Sequence, residues 1–196
     1  MHIVATDVAK RNLKSSFLSC DKDLETIWRK LLVESKPHSD ILKRLLIINT
    51  PDCLDDSQVQ YRKLIEQYSI KKLDEEGYIR SVPKLAFGEH EEVKSYILVE
   101  FNNFLPTENP EYRDCIIRIS CISLLDYWKM DDYMLRPYKI AGYVDGILNE
   151  SRLSGIGRLE FYGASTVSYN EYLGGVVLNY RAVHGGDDLG EMENVL

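Results

Sequence analysis

Four aspartates in the second half of the chain come closest to a catalytic arrangement. Asp126, Asp131, Asp132 and Asp145 lie in one short stretch, and paired carboxylates can hold the two metal ions of a nuclease. Their surroundings, Leu-Leu-Asp-Tyr-Trp and Asp-Asp-Tyr, are typical of a loop between a strand and a helix. Acidic residues are favoured before and within the first turn of a helix, because they interact well with its dipole. We therefore interpret them as a loop with an acidic helix start, and a metal-dependent nuclease remains an alternative.

The other candidate sites have weaker indications of metal binding or catalysis. Residues 89–92 (Glu-His-Glu-Glu) have metal-ligating types, but no two of them would be four positions apart on a helix, so we interpret them as a solvated charge run. His184 ends the last predicted strand and is explained as the flank of a turn. Gly155 and Gly157 lack the third glycine of a dinucleotide fingerprint and precede a strand. No Ser or Cys lies in a nucleophile motif, so we expect no enzyme, no metal and no cofactor.

Cysteine usage and hydropathy indicate a soluble protein made inside a cell. The four cysteines form no CxxC pair, and Cys115 and Cys121 on one predicted strand would be about 20 Å apart, too far for a disulfide. We expect reduced thiols, as in a cytoplasmic protein. The first residues do not resemble a signal peptide, and no apolar run is long enough to span a membrane.

The first third of the chain has helical periodicity. A helix that begins after Asp21 carries apolar residues at helical spacing until Lys36-Pro37 ends it. A second helix follows Ser39 or Asp40, and a third runs from about 57 to 68. The charged stretch from 71 to 77 is predicted to be a loop. We assign residues 1–77 to a helical N-terminal appendage.

From Tyr78 onward the apolar spacing changes from helical toward alternating. Strands are predicted over 78–87, where Pro83 favours an edge strand or arm, and over 96–104, 115–122, 158–169 and 172–184. Residues 103–110 are predicted to be a turn-rich connector. One helix starts near Pro137 and carries an apolar stripe: Ile140, Val144, Ile147 and Leu148. The expected fold is α+β, with a mainly antiparallel sheet and one helix across it over residues 78–186. An acidic tail follows over 187–196.

Charge and tyrosine content narrow the function classes. The net charge of −7 argues against a protein that holds nucleic acid by neutralising phosphates, because that mode needs clustered Lys and Arg. The chain contains 13 tyrosines, which suit either half-buried sheet faces or protein interfaces. Assembly with other subunits is therefore the leading interpretation.

The stretch from about 112 to 188 resembles the tail-terminator, or tail-completion, proteins of the head–tail neck of long-tailed bacteriophages. The resemblance lies in the order of the elements and in local segments: the strand 115–122, the loop Leu-Leu-Asp-Tyr-Trp at 124–128, the helix entry 135–142, the segment 144–148, the turn 154–157 and two closing strands that end at 182–185. It covers some 40% of the chain and includes no catalytic motif.

The resemblance implies a virion protein that forms a ring, with six subunits, on the end of the tail tube. Such a ring would stop tube polymerisation and meet other neck and tail-tube proteins, while DNA passes through the lumen without specific binding. A head-completion adaptor between portal and tail fits the same residues, and an interaction module unrelated to phages stays open. We expect assembly in the host cytoplasm and no membrane partner. Apolar residues on irregular segments predict the subunit interface: Tyr78, Leu85, Phe87, Phe104, Leu105, Tyr127 and Trp128.

Overall fold

The computed structural model describes residues 20–57, 59–81, 95–106 and 112–185. Helix α1 (Cys20–Arg29) continues as a π-helical turn (Lys30–Glu34), and three helices follow: α2 (His38–Ile47), α3 (Val59–Ile65) and α4 (Ile70–Glu75). Helix α4 corrects the predicted loop over 71–77. Ser69 caps it, because its side chain accepts a hydrogen bond from the Lys72 backbone N–H.

Five strands form one sheet in the order β1-β2-β3-β7-β6. These are β1 (Ile79–Arg80), β2 (Ser95–Pro106), β3 (Tyr112–Leu124), β6 (Glu160–Ser168) and β7 (Leu173–Gly185). Only the β1–β2 pair is parallel. A separate hairpin pairs β4 (Arg152–Leu153) with β5 (Gly157–Arg158). The α+β prediction, with a mainly antiparallel sheet, is confirmed.

Strand β2 runs through the start of the predicted connector. Leu105 and Pro106 still pair with β3, after a shift of register between Asn102 and Leu105. Asn103 absorbs this irregularity with a positive φ of 51°, which asparagine tolerates better than most residues. The rest of the connector, 107–110, lies outside the described residues, as does the continuation of the predicted edge strand over 82–87.

Helix α5 (Arg136–Leu148) packs across β3 and β7. Pro137 lies in its first turn, as expected. The predicted apolar stripe is confirmed, because Ile140, Val144, Ile147 and Leu148 are all buried in the main core. Each such side chain contributes about 1.5–3 kcal/mol when it leaves water, so the stripe is a principal attachment of the helix to the sheet.

The main core joins the helical segment to the sheet. Buried side chains from α1, α2, α4, β2, β3, α5 and β7 belong to one cluster. On the opposite face of the sheet, Tyr96, Leu98, Ile122 and Leu173 form a smaller cluster. The Arg80 guanidinium carbon lies 4.2 Å from the centroid of the Tyr96 ring, a cation–π arrangement. In the described part of the chain, no helix is long and apolar enough to cross a membrane.

Candidate assembly surface

The four aspartates do not converge on a common point. Asp126, Asp131 and Asp132 are exposed on the loop between β3 and α5, whereas the Asp145 carboxylate accepts a 2.9 Å hydrogen bond from the Tyr180 hydroxyl. No group of three or more His, Cys, Asp or Glu side chains with metal-binding geometry occurs among the described residues. The charge run over 89–92 and the side chain of His184 lie outside that part of the structure.

The loop that precedes α5 is held by a fully buried arginine. The Arg136 guanidinium donates hydrogen bonds to the carbonyl oxygens of Leu45 (2.9 Å), Ile48 (2.7 Å), Thr50 (2.8 Å) and Tyr127 (3.0 Å). Burial lowers the pKa of Arg136, which shows that loss of hydration disfavours its charged form. One side chain therefore fixes both the segment after α2 and the turn that carries Tyr127.

A second arginine braces the same segment from the other side. Arg44 is buried and donates to the carbonyl oxygens of Cys53 (2.8 Å) and Asp55 (2.7 Å) and to the Asp56 carboxylate (2.8 Å). Burial raises the pKa of the Cys53 thiol, while the nearby guanidinium of Arg136 opposes that shift. The two arginines therefore anchor residues 48–56 to the core, mainly through backbone carbonyl groups.

The predicted interface residues have different environments. Tyr78 and Phe104 are partly buried against the main core, and the Tyr78 ring meets the Tyr68 ring edge-on at 5.9 Å between centroids. Leu105 is exposed. Trp128 is half-buried beside Tyr127 and donates a 3.1 Å hydrogen bond from Nε1 to the Ser123 carbonyl. Leu85 and Phe87 lie outside the described residues. Among the described residues of this set, Tyr127 and Trp128 are neighbours because they are consecutive in the chain.

Strand β6 presents a surface that the sequence did not single out. It is the terminal strand of the sheet and pairs with β7 alone among the described strands. Seven of its nine residues are exposed, and the other two are only half-buried. Its aromatic residues Phe161 and Tyr162 are 45% and 71% exposed. Both faces of this strand are therefore available to a partner.

The turn between β6 and β7 adds two more exposed aromatic side chains. We call residues 169–172 the β6–β7 tip. Asn170 orders it, because its side-chain oxygen accepts a 2.8 Å hydrogen bond from the Tyr172 backbone N–H and its carbonyl accepts one from the Ser168 hydroxyl. Tyr169 and Tyr172 are nevertheless 45% and 64% exposed. The tip thus holds two large rings on an ordered backbone.

A concave surface lies on the outward side of α5. We call it the α5 groove; its volume is about 420 Å³, and it is lined by Leu135, Tyr138, Lys139, Gly142 and Tyr143. These positions follow helical spacing but avoid the buried stripe. The preceding turn is strained, because Asp132 and Tyr133 have φ values of 56° and 60°. The Tyr133 side chain is fully exposed there.

A family model with the description YomW matches residues 39–182, nearly three quarters of the chain, and the chain belongs to this family. No curated protein matches it significantly in sequence. A chain in a structure of the virion of a native gene transfer agent particle is 14% identical, with a TM-score of 0.41, over 63% of this chain and 90% of that one. A crystal structure from Akkermansia muciniphila is 10% identical, with a TM-score of 0.30, over 88% and 98% of the two chains.

Proposed function

We propose that this member of the YomW family is a structural protein of a phage particle, which forms a ring in the head–tail neck and acts there as a tail terminator. The family name is phage-derived, and the order of elements over 112–188 resembles tail terminators. The observation that carries the proposal is the open, exposed strand β6. A subunit of this kind works by assembly and not by catalysis.

Strand β6 lacks the usual protection of an edge strand. Monomeric proteins discourage edge-to-edge pairing with lysines, prolines or very short edge strands. Here nine residues contain no proline, and Glu160 is the only charged one. The register shift between Phe161 and Gly163 leaves six residues beyond it in regular pairing with β7. Their outer backbone groups can pair with an extended segment of a neighbouring subunit.

The overall charge fits a ring through which DNA passes. With a net charge of −7, the chain as a whole is repelled by phosphates, so DNA in the lumen would slide and not bind. Contacts with other neck and tail-tube proteins would then depend on shape and apolar area. The virion is accordingly the proposed location, after assembly in the host cytoplasm.

The test is to change β6 into a protected edge strand. Ala164→Lys with Thr166→Lys places two lysines at exposed positions of β6, so the monomer should fold normally. Val59→Lys with Gln67→Lys adds the same charge at exposed positions on and just after α3 and serves as the matched control. Sedimentation velocity and negative-stain imaging should show rings for the wild type and the control, and monomers for the β6 variant. A wild type that remains monomeric at high concentration would refute the proposal.

A further inference from the structure

We propose that the α5 groove of one subunit receives the β6–β7 tip of a second copy of the chain, with Lys139 facing Glu171. This inference rests on the proposed ring and names the joint that would build it. The groove and the tip share no residue, so the contact is heterologous: each subunit gives its tip to one neighbour and its groove to another. Contacts of this type close into a ring when the rotation between subunits allows it.

The first argument is the presence of glycine in the helix. Gly142 lines the groove, and Gly146 follows it by four residues; a Cβ atom built on either one would meet no heavy atom of the described residues within 4 Å. A glycine inside a helix costs about 1 kcal/mol relative to alanine, so intramolecular packing does not explain them. By contrast, a Cβ atom on Gly175 would overlap the Cys121 backbone, and one on Gly155 would overlap the Asp23 carboxylate. Close approach by another chain supplies the missing reason for Gly142.

The second argument is the match of shape and surface chemistry. The groove has a bare helix backbone at Gly142 and apolar walls from Leu135, Tyr138 and Tyr143. The His38 ring lies 6.0 Å from the Tyr143 ring, between centroids, and supports that wall. The tip offers Tyr169 and Tyr172 on an ordered turn. Aromatic side chains held on ordered backbone lose little conformational entropy on binding and are common anchors of interfaces.

The third argument is charge, and it selects this pairing over symmetric ones. Among the described residues that line the groove, Lys139 is the only charged one. Residues 159–172 contain Glu160 and Glu171 but no Lys or Arg. A tip in a groove therefore joins opposite charges. Groove-to-groove or tip-to-tip contacts would place like charges together, which is unfavourable.

The decisive experiment is complementation between two assembly-defective variants. Gly142→Trp fills the groove, and the open space around this position allows the variant to fold. Tyr169→Ser with Tyr172→Ser removes both anchors of the tip. Each variant alone should be a folded monomer by circular dichroism and sedimentation. Mixed together they retain one intact groove and one intact tip, so they should form a heterodimer and nothing larger.

The charge pair gives an independent check that does not depend on the tryptophan. Lys139→Glu or Glu171→Lys alone should raise the dissociation constant about two- to five-fold, the range expected for an exposed ion pair. The double charge reversal should restore it. Failure of restoration, or no association in the mixture of the two assembly-defective variants, would overturn the inference. Rings formed by Gly142→Trp would also overturn it and leave the proposed function intact, whereas a monomeric wild type would refute the function itself.

Discussion

Replacing Arg136 with methionine removes a guanidinium that the sequence does not mark as important but on which much of the core depends. Its side chain is 0% exposed and reaches four carbonyl oxygens, at 2.7–3.0 Å, in two segments far apart in the chain. Methionine keeps a long flexible stem of similar reach and donates no hydrogen bond. The change therefore isolates the polar contribution of Arg136.

The expected loss of stability follows from the acceptors that remain. A buried carbonyl left without a donor costs about 1–3 kcal/mol. The Thr50 carbonyl keeps the Cys53 backbone N–H as a donor, so the other three would together cost at least about 3 kcal/mol. The opposing effect is relief from burying a charge, since no carboxylate pairs with Arg136 in the hydrogen bonds described and burial lowers its pKa. We expect a net loss of about 3–5 kcal/mol in the free energy of unfolding, the range found when a buried charged interaction is broken.

Urea unfolding monitored by circular dichroism measures this loss. With a slope of about 2 kcal/mol per molar urea, the midpoint should fall by about 2 M. The matched control is Arg181→Met, because Arg181 is exposed and its guanidinium lies 2.7 Å from the Asp114 carboxylate. An exposed ion pair contributes at most about 1 kcal/mol. If Arg136→Met shifts the midpoint no more than Arg181→Met does, the hydrogen bonds of Arg136 are not what holds these two segments in place.

Two further predictions concern the core. Val144→Asp should lower the free energy of unfolding by several kcal/mol, because Val144 is fully buried on the apolar stripe of α5; a melting temperature within about 2 °C of the wild type would show that this stripe does not pack against the sheet. Burial raises the pKa of Cys115 to about 12 and also raises the pKa values of Cys53 and Cys121, so at pH 8 a thiol reagent should label at most the half-buried Cys20 rapidly in the native protein. Because burial raises these pKa values above the ordinary 9.0, the buried neutral thiols contribute fully to the free energy of unfolding below pH 9. That contribution is lost as the pH rises toward the pKa values of the thiols in the folded protein. Fast reaction of two or more native thiols would contradict this.

Periodicity predicted the elements that bury a continuous apolar stripe. The stripe of α5 and the alternation of Cys115, Ile117, Ile119 and Cys121 on β3 both belong to the main core. Helix α4 was missed because Leu73 is its only fully buried residue, so it has almost no periodic signal. Its evidence was polar: the cap at Ser69 and the pairs Lys71–Glu75 and Lys72–Glu76, which have the i, i+4 spacing of helical ion pairs.

Arg136 could not have been found from the sequence by the same reasoning. Three of its acceptors lie 86–91 residues earlier in the chain. They are backbone carbonyl groups, which every residue has, so residue types do not reveal them. The glycines of α5 are different. Gly142 and Gly146 lie four apart within a helix that the stripe predicts, and this unfavourable choice is visible in the sequence. What the sequence lacks is the structural fact that no residue in the described part of the chain fills the space above them.

The exposed strand β6 indicates how the fold of one subunit would favour the proposed assembly. Strand β7 beside it is buried, with Val176, Leu178 and Tyr180 in the main core, so β6 shields one edge of β7. Nothing among the described residues shields β6 in turn, as its own exposed side chains show. The sheet of a single subunit thus ends in a strand that is needed for the core but gains little burial itself. A second copy that covered β6 and seated the β6–β7 tip would bury apolar area on a strand already ordered by β7. Folding, and not association, would then carry most of the entropic cost of ordering that strand, so a modest contact area would suffice for the proposed ring.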